Sequence, residues 1–400
     1  MFTLLGLGAI LVIALSAQVF PSFLTRIGGS AAEQGLLLFS MFILYPASSV
    51  TAGIVADRVG KRAVLAAGLA AVAVPFALSA AVPDLRVRTL AVLLFGLGEG
   101  AVESQASALL SDLSPERERS MLNWSQVVFS AGAAGGPFLL ALLFSLPTGA
   151  TLAAVLWTCA ALCAALAAAF LLAARAQGGR GLPAGREEMG GPALPDGLRL
   201  PGLRLAGLRQ AGPGLGVLAA ALFLYVAAEM GTASWLAKYG EIHLGLAPAL
   251  APVCLTAFWG GLSASRILAG SLSARVPDSL LLYGSLALTL AGQVFSFTVR
   301  NPAAALAGFA LTGMGMGAVW PTLVAIAGRR YRRASGTAIG ALTASGGLAV
   351  AVIQLAIGWL SAPRLLGLRT TLLALSAFTA ANFLVVGRAL AAHAMPAAKR

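Results

Sequence analysis

Runs of about 20 apolar residues, each closed by a short polar or Gly/Pro-containing break, recur from one end of this 400-residue chain to the other. Twelve fall near residues 4–25, 34–56, 63–82, 89–111, 121–145, 150–174, 213–237, 249–274, 279–299, 302–327, 334–361 and 366–390. A helix of that length crosses roughly 30 Å of hydrocarbon. The pattern therefore predicts an all-α integral membrane protein with twelve transmembrane helices. One longer polar interruption, rich in Gly and Pro, separates six runs from six. It divides the chain into an N-terminal six-helix half (1–174), a linker (175–212) and a C-terminal six-helix half (213–400).

Composition agrees: 59% of residues are hydrophobic and 10% charged, with a mean hydropathy of +0.89, against about a quarter charged in soluble domains. The net charge of +13 would suit nucleic acid, but the placement of the bases argues otherwise. With the N-terminus cytoplasmic, 19 of the 27 Lys and Arg residues fall on the cytoplasmic side, 7 on the other, and Arg266 within a span. That is the positive-inside pattern, so both termini are expected in the cytoplasm of a bacterial inner membrane, with lipid rather than nucleic acid as the partner. The first run has no Lys or Arg before it and reads as a retained span rather than a cleaved signal peptide. Cys159, Cys163 and Cys254 all lie in spans and read as packing residues, with no disulfide, metal or cofactor framework. The linker echoes itself as GLRLP, GLRLA, GLRQA, but a period of five does not align its arginines on a helical face. It reads as a cytoplasmic segment near anionic headgroups.

Between Arg88 and Asp112 the only charges are Glu99 and Glu103. A spacing of four places both carboxyls on one helical face, one turn apart. A charge at the bilayer centre costs on the order of 2.5–3.5 kcal/mol even on insertion scales, and such residues usually mark ion or substrate paths. Glu229 and Arg266 are the other titratable groups embedded in spans, while His243 and His393 lie at or beyond span ends. A proton relay therefore has to be built on glutamate. Two carboxyls one turn apart titrate as a unit and can share a proton.

The halves are related. GLGEGAV at 96–102 returns as GMGMGAV at 313–319, and GIVADR at 53–58 more weakly as GSLSAR at 270–275, both 217 residues apart. Matched halves are the construction of many secondary transporters, with the solute site at the midplane between them. The ten residues GIVADRVGKR, 53–62, resemble the loop signature between helices 2 and 3 of the major facilitator superfamily. Within it, the chain is most similar to the fucose-permease-like sugar:proton symporters. GLGEGAVESQASALLSDLSPERERSMLNWSQ resembles that family's helix 4, loop and helix 5; YVAAEMGTASWLAKY at 225–239 its helix 7; Arg266 its helix-8 arginine; and WPT at 320–322 its helix-10 aromatic-Pro-Thr.

The resemblance implies roles. Glu103 falls on the family's helix-4 glutamate and Gln126, in N-x-x-Q with Asn123, on its helix-5 glutamine. Asp57 and Arg58, with Arg62 and with Arg117 as partner, would latch the halves at the cytoplasmic side in the outward-facing state. The second copy has Ala274 in place of Asp57, so the latch would be asymmetric. The family's helix-1 aspartate is absent, Gln18 being the polar residue there, and Glu229 is the acid placed to substitute for it. Proton coupling is thus expected at Glu103, with Glu99 and Glu229. Tyr225, Trp235 and Trp320 would stack on an apolar solute face, while Gln18, Asn123, Gln126 and Gln354 bond its hydroxyls.

The expected function is a monomeric, proton-coupled transporter of a monosaccharide or similar small polar solute, working by alternating access. Sodium is the other ion such a carboxylate and amide set would accept. The alternative is a proton-driven exporter, since GAAGGP at 132–137 partly resembles the antiporter motif of drug-export members. No G-x-x-x-x-G-K-[ST] loop for ATP is present, and the spans hold neither His nor Asp for an intramembrane hydrolase.

Overall fold

The computed structural model describes residues 1–113, 118–146, 151–176, 212–272, 276–331 and 335–394. The linker, Arg117 and Arg275 lie outside them, as does the side chain of Asn123. The described chain is all helical. Ten helices are long and apolar enough to cross a membrane, and Val253–Leu268 is a shorter apolar one. The helix Leu85–Leu113, which holds Glu99 and Glu103, is not among the ten, although at 29 residues it is the longest described. Its acids and the two arginines of its first turn dilute its apolarity, and its length makes it a span nonetheless. The fold is the twelve-span arrangement of two six-helix halves.

Four spans that read as continuous are broken, and three breaks follow one rule. The first span ends a helix at Ala17, the second at Phe42 and the tenth at Met316. Each is followed by a proline, Pro21, Pro46 and Pro321. A proline lacks an N–H and its ring clashes with the carbonyl four residues before it; those carbonyls belong to Ala17, Phe42 and Gly317. The seventh span breaks without proline, between Gly212–Ala233 and Leu236–Leu244. There the Gln354 side chain of the eleventh span donates to the Met230 carbonyl at 3.2 Å and to Ser234 Oγ at 2.9 Å. A side chain inserted into the backbone ladder kinks a helix in the same way.

The 217-residue repeat is physical as well as textual. Gly96 and Gly100 of the fourth span lie against the carbonyls of Met41 and Tyr45, and Gly313 and Gly317 against those of Phe258 and Leu262. Gly98 meets Gly68 and Val72, and Gly315 meets Ser285 and Thr289. Every residue in the second set stands 217 positions after its counterpart, so the two halves pack their small-residue contacts in one register. The repeat extends to charge, with the sign reversed: Lys61 pairs with Asp112, and Asp278 with Arg329. Both pairs tie the turn entering a half's third span to the end of its fourth. In the N-terminal half this turn is made by Gly60 at φ 87°, a conformation that favours glycine.

The halves meet where the second span packs on the eleventh and the fifth on the eighth. We call the end of the bundle that holds the Gly60 turn the linker end, and the opposite one the distal end.

Both ion pairs are partly exposed, which places each in the range of about 0.2–1 kcal/mol. Lys61→Asp should lower the unfolding temperature slightly at low salt, and Lys61→Asp with Asp112→Lys should restore it. Thermal unfolding of the purified protein at low and high ionic strength checks this; the deficit should shrink with salt.

Candidate functional site

The buried charges converge midway along the bundle, where the halves face one another. Tyr45, released to a new direction by the break before it, donates its hydroxyl to Glu103 Oε2 at 2.7 Å. In the other half Tyr225 donates to Glu229 Oε1 at 2.8 Å, one turn along the same helix. Arg266 of the eighth span lies between these two tyrosine–glutamate pairs. Its Nη1 donates to Ser130 Oγ of the fifth span at 3.0 Å, across the interface between halves. Its guanidinium also approaches the Tyr225 hydroxyl as a donor and interacts electrostatically with both Glu103 and Glu229. Glu99 stands one turn from Glu103, 4% exposed, and its Oε2 has no hydrogen-bond partner among the described residues.

Three carboxyls and one guanidinium therefore share a buried, low-dielectric volume. A buried acid without a partner charge stays neutral, because isolated ions are far costlier there than in water. Phenol donors satisfy Glu103 and Glu229 in either protonation state, since each carboxyl keeps a second oxygen free to carry a proton.

The other residues expected at the site separate into groups. Gln18, at the break in the first span, accepts from Trp259 Nε1 of the eighth span at 3.0 Å, another bond between halves. Trp235 is fully buried and donates to Gln354 Oε1 at 2.8 Å. With Ser234 and Met230 these two form the buttress of the seventh-span break. Tyr225 is buried on Glu229. Gln126 is exposed, and Trp320 is half-buried beside Gly346. Asn123 lies in the helix Glu118–Ser145, with its side chain outside the described residues.

At the linker end, Asp57 and Arg58 are exposed, Arg62 stacks over the Phe2 ring at 3.7 Å, and Arg117 is outside the described residues. Both ion pairs among the described residues at this end stay within one half. At the distal end the halves are pinned together. Thr25 donates to Glu241 at 2.7 Å, Lys238 donates to Gln34 at 2.5 Å, and Gln34 in turn donates to the Leu24 and Gly28 carbonyls. Gly35 of the second span and Gly358 of the eleventh meet there backbone to backbone: a Cβ on Gly358 would stand 2.7 Å from the Ala31 carbonyl and 2.8 Å from Gly35 Cα.

Tyr45, Trp259 and Arg266 were not among the expected site residues. An intramembrane arginine roughly two turns from a span end reads as easily as one that snorkels to the interface. What signals otherwise is that it is the lone basic residue in a span while three acids are buried in others.

Comparison with known proteins agrees with this architecture. The Major Facilitator Superfamily profile matches residues 2–354. A bacterial homolog of the human lysosomal transporter Spinster, solved inward-facing and unoccupied, superposes with a TM-score of 0.75 at 15% identity, covering 99% of this chain and 98% of that one. A D-xylose-proton symporter gives 0.71 at 13% identity, covering 96% of each chain. The transporter FucP in its outward conformation gives 0.61 at 18%, covering 97% and 98%. A search of curated proteins returns no match. The family and these neighbours are transporters, which makes this chain a multi-pass membrane transporter and not an enzyme.

The contact at Gly358 generates a prediction. Gly358→Val leaves no room for the distal halves to close, so the population should move toward a distal-open form. Spin labels on Thr25→Cys and Glu241→Cys should report a longer mean distance in that background than with Gly358 present.

Proposed function

We propose that this chain, which belongs to the major facilitator superfamily, moves a small polar solute, a monosaccharide or a compound of similar chemistry, by alternating access coupled to protons. The observation that carries this reading is the facing of Tyr45–Glu103 and Tyr225–Glu229 across the halves with Arg266 between them. Carboxyls that sit where two rigid bodies separate change their surroundings each time the bundle rocks. A carboxyl's proton affinity depends on desolvation and nearby charge, so each rocking step changes its proton occupancy. Glu103 is assigned as the main coupling acid, with Glu229 replacing the missing first-span acid and Glu99 as an accessory.

Solute recognition is assigned to Gln126, Asn123 and Trp320 around this centre. Gln18, Trp235 and Gln354 act through the breaks they brace. Asp57 and Arg58 with Arg117 are assigned to closing the linker end when the distal pins open. The linker end, both termini and the segment 175–212 are placed in the cytoplasm of a bacterial inner membrane, because that orientation puts 19 of 27 basic residues inside.

Proton-driven export is the second reading, and one observation favours it. The glycines of GAAGGP lie on the first span, where a Cβ on Gly132 would stand 3.0 Å from the Leu11 carbonyl and one on Gly136 3.2 Å from that of Leu15. That places the motif at a moving-helix contact, as a coupling role in export would need.

Proteoliposomes with an imposed pH gradient separate the readings, with sugars, nucleosides and amphiphilic drugs as the panel. The expected result is accumulation of a sugar or nucleoside against its gradient, with alkalinisation of the medium on solute addition. Glu103→Gln and Glu229→Gln should each reduce accumulation to simple equilibration while solute exchange persists. Drug movement opposite to the proton would favour export. Strict dependence on a sodium gradient, or unchanged pH dependence in both variants, would overturn the coupling assignment.

A further inference from the structure

The charge balance at the centre goes a step beyond the proposed coupling, on which this inference rests. Arg266 interacts with one acid from each half, Glu103 of the fourth span and Glu229 of the seventh, and donates to Ser130 of the fifth. Glu99, Tyr45 and Tyr225 are the other titratable groups facing this cluster. The helix Pro302–Met316, packed along the eighth span, has no titratable side chain, and the fifth span has none between Met121 and Ser145. One buried cation is therefore available to three buried acids, two of which stand on opposite bodies of the transporter.

We propose that Arg266 is a shared counter-ion: Glu103 and Glu229 hold a single negative charge between them, and the acid that has Arg266 is the ionised one. The acid without it carries the proton. When the halves rock and the guanidinium changes partner, the acid that gains it gives its proton to water on the open side. The acid that loses it takes a proton up. Arg266 thus acts as a positioning residue: it need not touch the solute, and it ties proton release in one half to proton uptake in the other. The tyrosines keep each carboxyl oriented through the exchange, since a phenol donates to the carboxylate and the carboxylic acid alike. Glu99, which has no cation near it, remains protonated throughout.

Sharing has a signature that two independent acids lack. If one charge is shared, removing either acid leaves the survivor ionised on Arg266, so both removals eliminate one protonated carboxyl. If the acids are independent, removing the ionised one changes nothing. The measurement is the carbonyl band of protonated carboxylic acids, by infrared spectroscopy on the full-length protein in liposomes at neutral pH without added solute. Glu103→Gln and Glu229→Gln should each lower the band by one carboxyl equivalent. Arg266→Gln should raise it by one, and Arg266→Lys should leave it near the wild-type value.

A loss in only one of the two glutamine variants overturns the proposal, as does an unchanged band in Arg266→Gln. Should Arg266→Gln fail to fold, the glutamine pair decides alone. The uptake assay answers a separate question. Shared carboxyls without pH-driven uptake of any solute remove the proton-transport reading, while pH-driven uptake with independent carboxyls removes only the shared counter-ion.

Discussion

Ionisable groups in hydrocarbon need partners, and that need organises the centre of this bundle. Glu99, Glu103 and Glu229 sit among spans whose remaining side chains are almost all apolar, so any charge they hold must be met by protein. Two phenols and one guanidinium meet it, and they do so from different helices: Tyr45 from the second span, Tyr225 from the seventh, Arg266 from the eighth. Each bond depends on where its helix bends or crosses. Tyr45 faces Glu103 because Pro46 ends the helix before it, and Arg266 reaches Ser130 because the fifth span packs on the eighth. Disturbing a break or a crossing therefore disturbs the charge balance, which is how motion and protonation become one process.

The scaffold is symmetric where it packs and asymmetric where it acts. The glycine contacts of the fourth span on the second and third return 217 residues later on the eighth and ninth. The ion pairs return with reversed sign, since a pair needs opposite charges and is indifferent to which side holds which. At the centre the correspondence fails: Trp320 stands 217 residues after Glu103, Met316 after Glu99 and Leu262 after Tyr45, while Ser49 precedes Arg266 by the same interval. Packing imposes the same demand on both halves, because both must be rigid and must swing alike. A single central site makes different demands of its two walls.

Much of the fold was legible in the sequence because the bilayer is a simple solvent. A run of about 20 apolar residues has one outcome there, an α-helix, since every backbone group must be satisfied internally. The spans, the division after the sixth, the repeat and the family all followed from that reading and from GIVADRVGKR. The breaks at Ala17, Phe42 and Met316 were also written in the chain, four or five residues before Pro21, Pro46 and Pro321, though hydropathy averages over them. The break in the seventh span was not legible, because Gln354 makes it from 120 residues away. Trp235 and Gln354 suggested a solute surface by residue type alone, and their closure on one another is a fact of the helix crossing.

What the sequence determined by itself is which residues cannot be solvated where they lie: three acids and one arginine in membrane spans, in a chain built of two copies of one half. Local spacing was enough to put Glu99 and Glu103 on one face, because a helix fixes neighbours four apart. It was not enough to choose their partners. Tyr45 lies 58 residues from Glu103, and Arg266 lies 136 from Ser130. Those meetings were decided by the tertiary structure, since a hydrogen bond needs atoms within about 3 Å. Only the angles at which helices break and cross bring such distant positions that close.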